Sequence, residues 1–155
     1  MASTADDTMI EEIGRGIMRV RRQILTEGSR RLEERGEQLL PWQVLNFLDR
    51  CGPSSQAELA LGTGQHPTGL SRLLDELEKA GHVRRKRDTA DRRRVVVGPT
   101  AAGLVRLRHG RPAMHAAVEQ VLAPLDARGR KALRDLLTRL VDVNVTSVFR
   151  KAASR

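Results

Sequence analysis

The apolar residues of the N-terminal segment, Ile10, Ile13, Ile17, Val20 and Ile24, recur at spacings of three and four and so line one stripe of an α-helix. Thr4 is an N-cap residue type and Asp6 and Asp7 suit the positive end of the helix dipole, which predicts a helix from there to a stop between Leu32 and Gly36. Pro41 is a favourable first helical residue, and Trp42, Leu45 and Leu48 or Phe47 give a second helix its inward face before Gly52-Pro53 ends it. Ser55 can cap a short third helix carrying Ala57, Leu59 and Ala60, stopped by Gly62 or Gly64. His66-Pro67 opens a fourth, with Leu70, Leu73, Leu74 and Leu77 on one face, Thr68, Ser71, Arg72, Asp75 and Lys79 on the other, and Gly81 at its end.

The period then changes. His82 to Arg87 and Arg93 to Val97 read as two strands joined by the turn formers Asp88 to Asp91. Thr100 can cap a helix from Ala101 to about Leu122, with Gly110 and Pro112 as an expected kink. Asp126 can cap a last helix, in which Leu133, Leu136, Leu137, Leu140 and Asn144 repeat at helical spacing. The predicted fold is mainly α with one small β-hairpin. No internal repeat or low-complexity linker interrupts it.

Charge narrows the function. The chain of 155 residues carries 28 basic and 19 acidic side chains, a formal net charge of +9, which favours a polyanionic partner. Arg84, Arg85, Lys86, Arg87, Arg92, Arg93 and Arg94 lie within one hairpin against only Asp88 and Asp91, so more than half of that excess is focused there. Such focusing suits phosphate neutralisation with release of counterions; the competing reading is a solvated edge hairpin kept basic against aggregation. The helix that precedes it presents a polar N-terminal face able to enter a major groove. Candidate DNA contacts are therefore His66, Pro67, Thr68, Ser71 and Arg72 on the helix and Arg84, Lys86, Arg92, Arg93 and Arg94 on the hairpin. Asp75 is expected to hold an arginine rather than touch DNA.

Other chemistry is sparse. No His/Asp/Ser, Cys/His or paired-carboxylate arrangement has catalytic spacing, so an enzyme is not expected. A single Cys51 and four scattered histidines offer no disulfide and no metal-ligand spacing, and no cofactor is expected. Cys51 reads as a packed, inert thiol at the end of the second helix. No apolar run is long enough to span a membrane and the first residues lack a secretion signal, so a cytoplasmic location with no membrane partner is expected.

Three helices followed by a basic hairpin make a winged helix-turn-helix, and the residues from Gly52 to Gly103 resemble the MarR family of bacterial transcriptional regulators. GPSSQAELALGTGQHPTGLSRLLDELEKAG is similar to that family's helix-turn-helix without a gap, and DTADRRRVVVGPTAAG resembles its wing, including the Asp-x-Arg signature at Asp91 and Arg93. The resemblance implies that Asp91 holds the Arg93 guanidinium in place at the minor groove. It also implies three regions: an N-terminal dimerisation helix (1–36), a DNA-binding lobe (37–100) and C-terminal dimerisation helices (101–155). Dimerisation is assigned to Ile10, Ile13, Ile17, Leu133, Leu136, Leu140 and Val148, whose stripes exceed what a small winged helix can cover.

The function so implied is a homodimeric, sequence-specific regulator of transcription that binds a pseudo-palindromic double-stranded operator, a repressor released by a small aromatic or phenolic effector. A winged-helix protein-interaction or non-specific architectural module is the alternative. Trp42 is the one aromatic considered for an effector pocket, with filling of the core as its competing role. Some relatives sense peroxides through a cysteine in the first helix, where this chain has none. Gly62, Thr63 and Gln65 depart from the family pattern and imply a looser turn; Gly69 replaces a hydroxyl residue and removes one DNA contact; Pro99 replaces a Leu and implies a different wing angle.

Overall fold

A computed structural model describes residues 4–152, with side-chain surroundings given for residues 6–141. The elements run α1 (Thr4–Glu33), α2 (Leu39–Cys51), α3 (Gln56–Thr63), α4 (Pro67–Lys79), β1 (Val83–Arg87), β2 (Val95–Pro99), α5 (Ala101–Val121) and α6 (Ala127–Ala152). This is the mainly α architecture with one hairpin that the periodicity predicts.

Local chemistry sets the boundaries. Ser55 accepts the Glu58 N–H while the Glu58 carboxylate accepts the Ser55 N–H, a reciprocal capping box that opens α3. Gly64, at φ 68°, supplies the left-handed residue that ends it. At the end of α4 the Gly81 N–H reaches Glu78 O and the His82 N–H reaches Leu77 O, with Gly81 at φ 75°, so a Schellman turn delivers the chain into β1. Thr100 and Asp126 cap α5 and α6 through Gly103 N–H and Gly129 N–H, as expected. Two boundaries differ from expectation. α1 already includes Thr4, and α2 begins at Leu39, which puts Pro41 in its first turn, where a missing N–H still costs no helical bond.

The main core joins α2, α3, α4, the hairpin and α5 through Val44, Leu45, Leu48, Leu59, Leu70, Leu74, Leu77, Val83, Val97 and Leu107. A second cluster, Leu32, Ala113 and Met114, packs α1 on α5. Trp42 touches both, and its ring lies over Gly110. Gly110 is thus a contact point; an added Cβ would come within 2.6 Å of the Trp42 ring and 2.9 Å of Leu32. α5 continues unbroken through Pro112, whose ring is exposed. The departure at Gly62 does not loosen the turn. The Phe47 ring occupies the place of its absent Cβ, only 1.9 Å away, so α2 and α3 approach closely there.

Gly103 is the tightest approach to backbone. A Cβ there would stand 2.0 Å from the His82 carbonyl oxygen, the atom that receives the Thr100 N–H where β1 and α5 meet. Gly103→Ala must separate these two backbones, and the expected cost is about 3 kcal/mol, at the upper end for overpacking. Chemical denaturation of the variant against wild type checks it.

Beside this body lies an uncovered apolar surface. Ile10, Ile13, Ile17, Met18 and Val20 on α1 and Leu136, Leu137, Leu140 and Val141 on α6 are all exposed. Between α1, the end of α5 and α6 runs a groove of about 1090 Å³, lined by Ile13, Ile17, Val20, Leu133, Leu137 and Val141 among others. The side chain of Val148 lies outside the described residues, as does that of Asn144. Among the described residues, no helix is long and apolar enough to cross a membrane.

Candidate nucleic-acid interface

α4 owes its exposed face to its buried one. Leu70, Leu74 and Leu77 are fully inside, so Thr68, Gly69 and Arg72 project outward and Ser71 is half-buried. His66 is the N-cap, its Nδ1 accepting the Thr68 N–H at 3.3 Å, with Pro67 at the first helical position. The first turn of α4 is therefore closed by its own residues and presented to solvent.

The hairpin is anchored on both sides. Val83 pairs with Pro99, Arg85 with Val97 and Arg87 with Val95, while Ser54, buried, bridges Val97 from the α2–α3 connection like a short third strand. Pro99 has no N–H to lose and sits at the end of the ladder. β2 starts at Val95, two residues later than expected, so Arg93 and Arg94 belong to the connecting loop. The reason is local. Asp88 Oδ1 accepts the Ala90 N–H at 3.0 Å, Asp91 Oδ1 accepts the Arg93 N–H at 2.9 Å, and Arg94 N–H reaches Asp91 O, so two aspartate-headed turns consume the residues that alternation alone would assign to the strand. Asp91 thereby shapes the loop through the Arg93 N–H, and among the described residues no ion pair joins it to the Arg93 guanidinium.

The basic residues of the hairpin fall into two groups. Arg85 is half-buried and spans from Asp75, at 2.6 Å, to Glu78, whose carboxylate also accepts the Arg85 N–H at 2.9 Å. Those bonds hold the Glu78 carboxyl below its usual range. Asp75 does hold an arginine, as expected. Arg94 is likewise tied, to Glu58 on α3 and to Asp88 at 3.7 Å. Arg84, Lys86, Arg87, Arg92 and Arg93 are exposed, and among the described residues none has a carboxylate partner; the same holds for Arg72. Strand alternation separates these further. Alternation puts Arg87 on the same side of β1 as Arg85 and puts Arg84 and Lys86 on the other, while Arg84, Lys86 and, at the end of the strand, Arg87 all border a cleft with Pro53, Val96 and Gly98. Arg87 was not among the sequence candidates, although counting by two from the buried Val83 would have found it.

Burial raises the Glu58 carboxyl, but the Ser55 N–H, the Arg94 guanidinium and the Ser55 hydroxyl together outweigh it and leave the group below its usual value of 4.5. A carboxyl so depressed contributes stability fully above about 4.5, and loses it as pH falls through the lowered value. His82 moves down instead, through burial and the nearby Arg106, which bonds Glu37 at 2.8 Å.

The remaining candidates are simpler. Trp42 is half-buried between the two cores, its indole N–H enclosed without a partner, and it lines neither the apolar groove nor the Pro53 cleft. Cys51 is exposed, not packed: it is the last residue of α2, one turn beyond the buried Leu48. Among the described residues no three His, Cys, Asp or Glu side chains gather as metal ligands would.

A polar helix face beside a hairpin with five unpaired cations is a surface suited to a phosphate backbone and the groove next to it. The region that carries it is similar to known proteins. A family model described as MarR family matches residues 38–94, which span α2, α3, α4, β1 and the hairpin loop. The uncharacterized HTH-type transcriptional regulator YcgE of Bacillus subtilis is 44% identical over 57 residues, 37% of each chain. The HTH-type transcriptional repressor NicR of Pseudomonas putida is 32% identical over 103 residues, 63% of this chain and 65% of that one. These matches thus span less than two thirds of either curated relative. A Mycobacterium tuberculosis MarR family protein is similar over nearly its whole length: its salicylic acid complex superposes with a TM-score of 0.70 at 29% identity, covering 82% of this chain and 94% of that one. The same protein solved with DNA gives a TM-score of 0.65 at 28% identity, covering 82% and 95%. The helix-turn-helix and hairpin are thus matched in sequence by the MarR family model, and the flanking helices are similar in fold to those of MarR family proteins.

Proposed function

We propose that this protein is a homodimeric, sequence-specific DNA-binding regulator of transcription, not an enzyme, and that it acts as a repressor released by a small aromatic carboxylate. The observation that carries the reading is the pairing of two surfaces. Arg85 fastens the hairpin to α4 through Asp75 and Glu78, so the exposed face of α4 and the free cations Arg87, Arg92 and Arg93 are held as one unit. α4 then reads base edges through Thr68, Ser71 and Arg72, with His66 and Pro67 setting its first turn. Arg92 and Arg93 grip the backbone or minor groove beyond, and Arg84 and Lys86 add to the positive field from the far side of the wing.

Dimerisation is inferred from the apolar groove and the exposed stripes of α1 and α6, which a second copy of this chain would cover about a two-fold axis. A two-fold dimer presents two copies of α4, which call for half-sites about 10 bp apart. Repression is supported by the likeness to NicR, and an aromatic acid effector by the likeness to the M. tuberculosis protein solved with salicylic acid. A cytoplasmic location fits a DNA partner.

Selection of bound genomic fragments tests the proposal. The expected sites are pseudo-palindromes, and inserting five base pairs between half-sites, which turns one α4 to the opposite side of the duplex, should abolish tight binding. Binding that ignores sequence and disappears at moderate salt would replace the reading with a non-specific architectural one.

A further inference from the structure

Arg94 differs from its neighbours on the hairpin loop. It is two-thirds buried at the side chain, and its guanidinium lies between the Glu58 carboxylate on α3 and the Asp88 carboxylate at the start of the loop. Its backbone closes the same loop, with Asp88 N–H donating to Arg94 O at 2.8 Å. Glu58 Oε2 is at the same time fixed by the Ser55 N–H at 2.7 Å and the Ser55 hydroxyl at 2.9 Å. One carboxylate oxygen therefore joins the N-terminus of α3, the connection that holds Ser54 against β2, and both ends of the loop that carries Arg92 and Arg93. Apart from Arg85 at the root, no other ion pair among the described residues ties the hairpin to the helices.

We propose that Glu58 positions the wing on the duplex: through Arg94 it sets the angle at which Arg92 and Arg93 leave the helix-turn-helix, although neither Glu58 nor Arg94 touches DNA. This rests on the DNA-binding reading above. It reassigns Arg94, a candidate phosphate contact by its charge, to a strut. The two roles predict opposite signs. If Arg94 gripped phosphate, releasing it from Glu58 would free a cation and tighten binding; if it is a strut, the release lets the loop swing and weakens binding.

Glu58→Gln makes the test, because glutamine keeps the shape and an acceptor for the Ser55 N–H while losing the charge that holds Arg94. The expected result on the selected operator is a weakening of roughly five- to tenfold, together with a reduced penalty for Arg93→Ala in the Glu58→Gln background, since a loop already displaced has less to lose. Ser55→Ala, which opens the cap of α3 but leaves the Glu58–Arg94 pair, should lower thermal stability and leave the Arg93→Ala penalty intact. Arg94→Met repeats the experiment with the α3 cap untouched, in case Glu58→Gln fails to fold. A second readout needs no DNA: limited trypsin cleavage of the full-length protein after the loop arginines should accelerate several-fold in Glu58→Gln and Arg94→Met. Tighter or unchanged operator binding by Glu58→Gln overturns the proposal, as does full additivity with Arg93→Ala. If wild type selects no duplex at all, the DNA-binding reading fails, and cleavage at an unchanged rate would then end the strut as well.

Discussion

Ile17→Asp is expected to yield a folded monomer that has lost operator binding by a hundredfold or more. Ile17 is 49% exposed in the single chain and lines the apolar groove without belonging to either buried core cluster, so the substitution leaves the core of one subunit intact. In a two-fold dimer it acts twice. Each copy forfeits the burial of one isoleucine, about 1.5 to 3 kcal/mol, and must also desolvate a carboxylate in an apolar interface, which costs several kcal/mol unless it is paired. Arg21 and Arg134 border the groove, but Arg134 already bonds Asp135 at 2.8 Å, and Arg21 lies beside the end of α3, within reach of Gly64. A monomer presents one α4 and one wing, so half the contacts vanish together with the gain from linking them. Light scattering and a gel shift on the selected operator measure both parts of this result. A wild type that is itself monomeric would end the dimer proposal.

The amphipathic stripes of α1 and α4, the caps at Ser55, His66, Thr100 and Asp126, and the glycine stops at Gly64 and Gly81 are all local signals, and all were readable in the sequence. What stayed hidden depends on distance or on competition. The Glu58–Arg94 pair joins residues 36 apart, and nothing in the local pattern distinguishes Arg94 from Arg92 or Arg93. The start of β2 was misplaced because three arginines and three valines in a row carry no alternation, leaving the turn chemistry of Asp88 and Asp91 to decide. Gly62, Gly103 and Gly110 resemble breakers in a one-dimensional reading. Each is instead the place where another element comes within a bond length or two of where a Cβ would stand. Both sides of β1 carry arginine, so charge alone does not separate Arg84 and Lys86 from Arg85, which lies on the side of the buried Val83.

Reading and gripping separate in a comparison of Arg72→Ala with Arg93→Ala. Arg72 is exposed one turn into α4 and has no carboxylate partner among the described residues, so its guanidinium is free to bond a guanine edge at two points. Its loss should cost about 1 to 3 kcal/mol on the preferred sequence and little on scrambled DNA. Arg93 stands in the hairpin loop with its N–H held by Asp91 and its side chain unpaired, so it should act on every sequence alike. If it neutralises one phosphate per subunit, a dimer loses two, and the slope of log affinity against log salt should flatten by roughly 1.8, or roughly 60-fold in affinity at 0.1 M salt relative to 1 M. Asp91→Ala keeps the cation but releases the Arg93 backbone, and should weaken binding with a smaller change of slope. A salt series on specific and scrambled duplexes separates the three variants. An Arg93→Ala protein with unchanged affinity and slope would remove the wing from the mechanism and leave recognition to α4 alone.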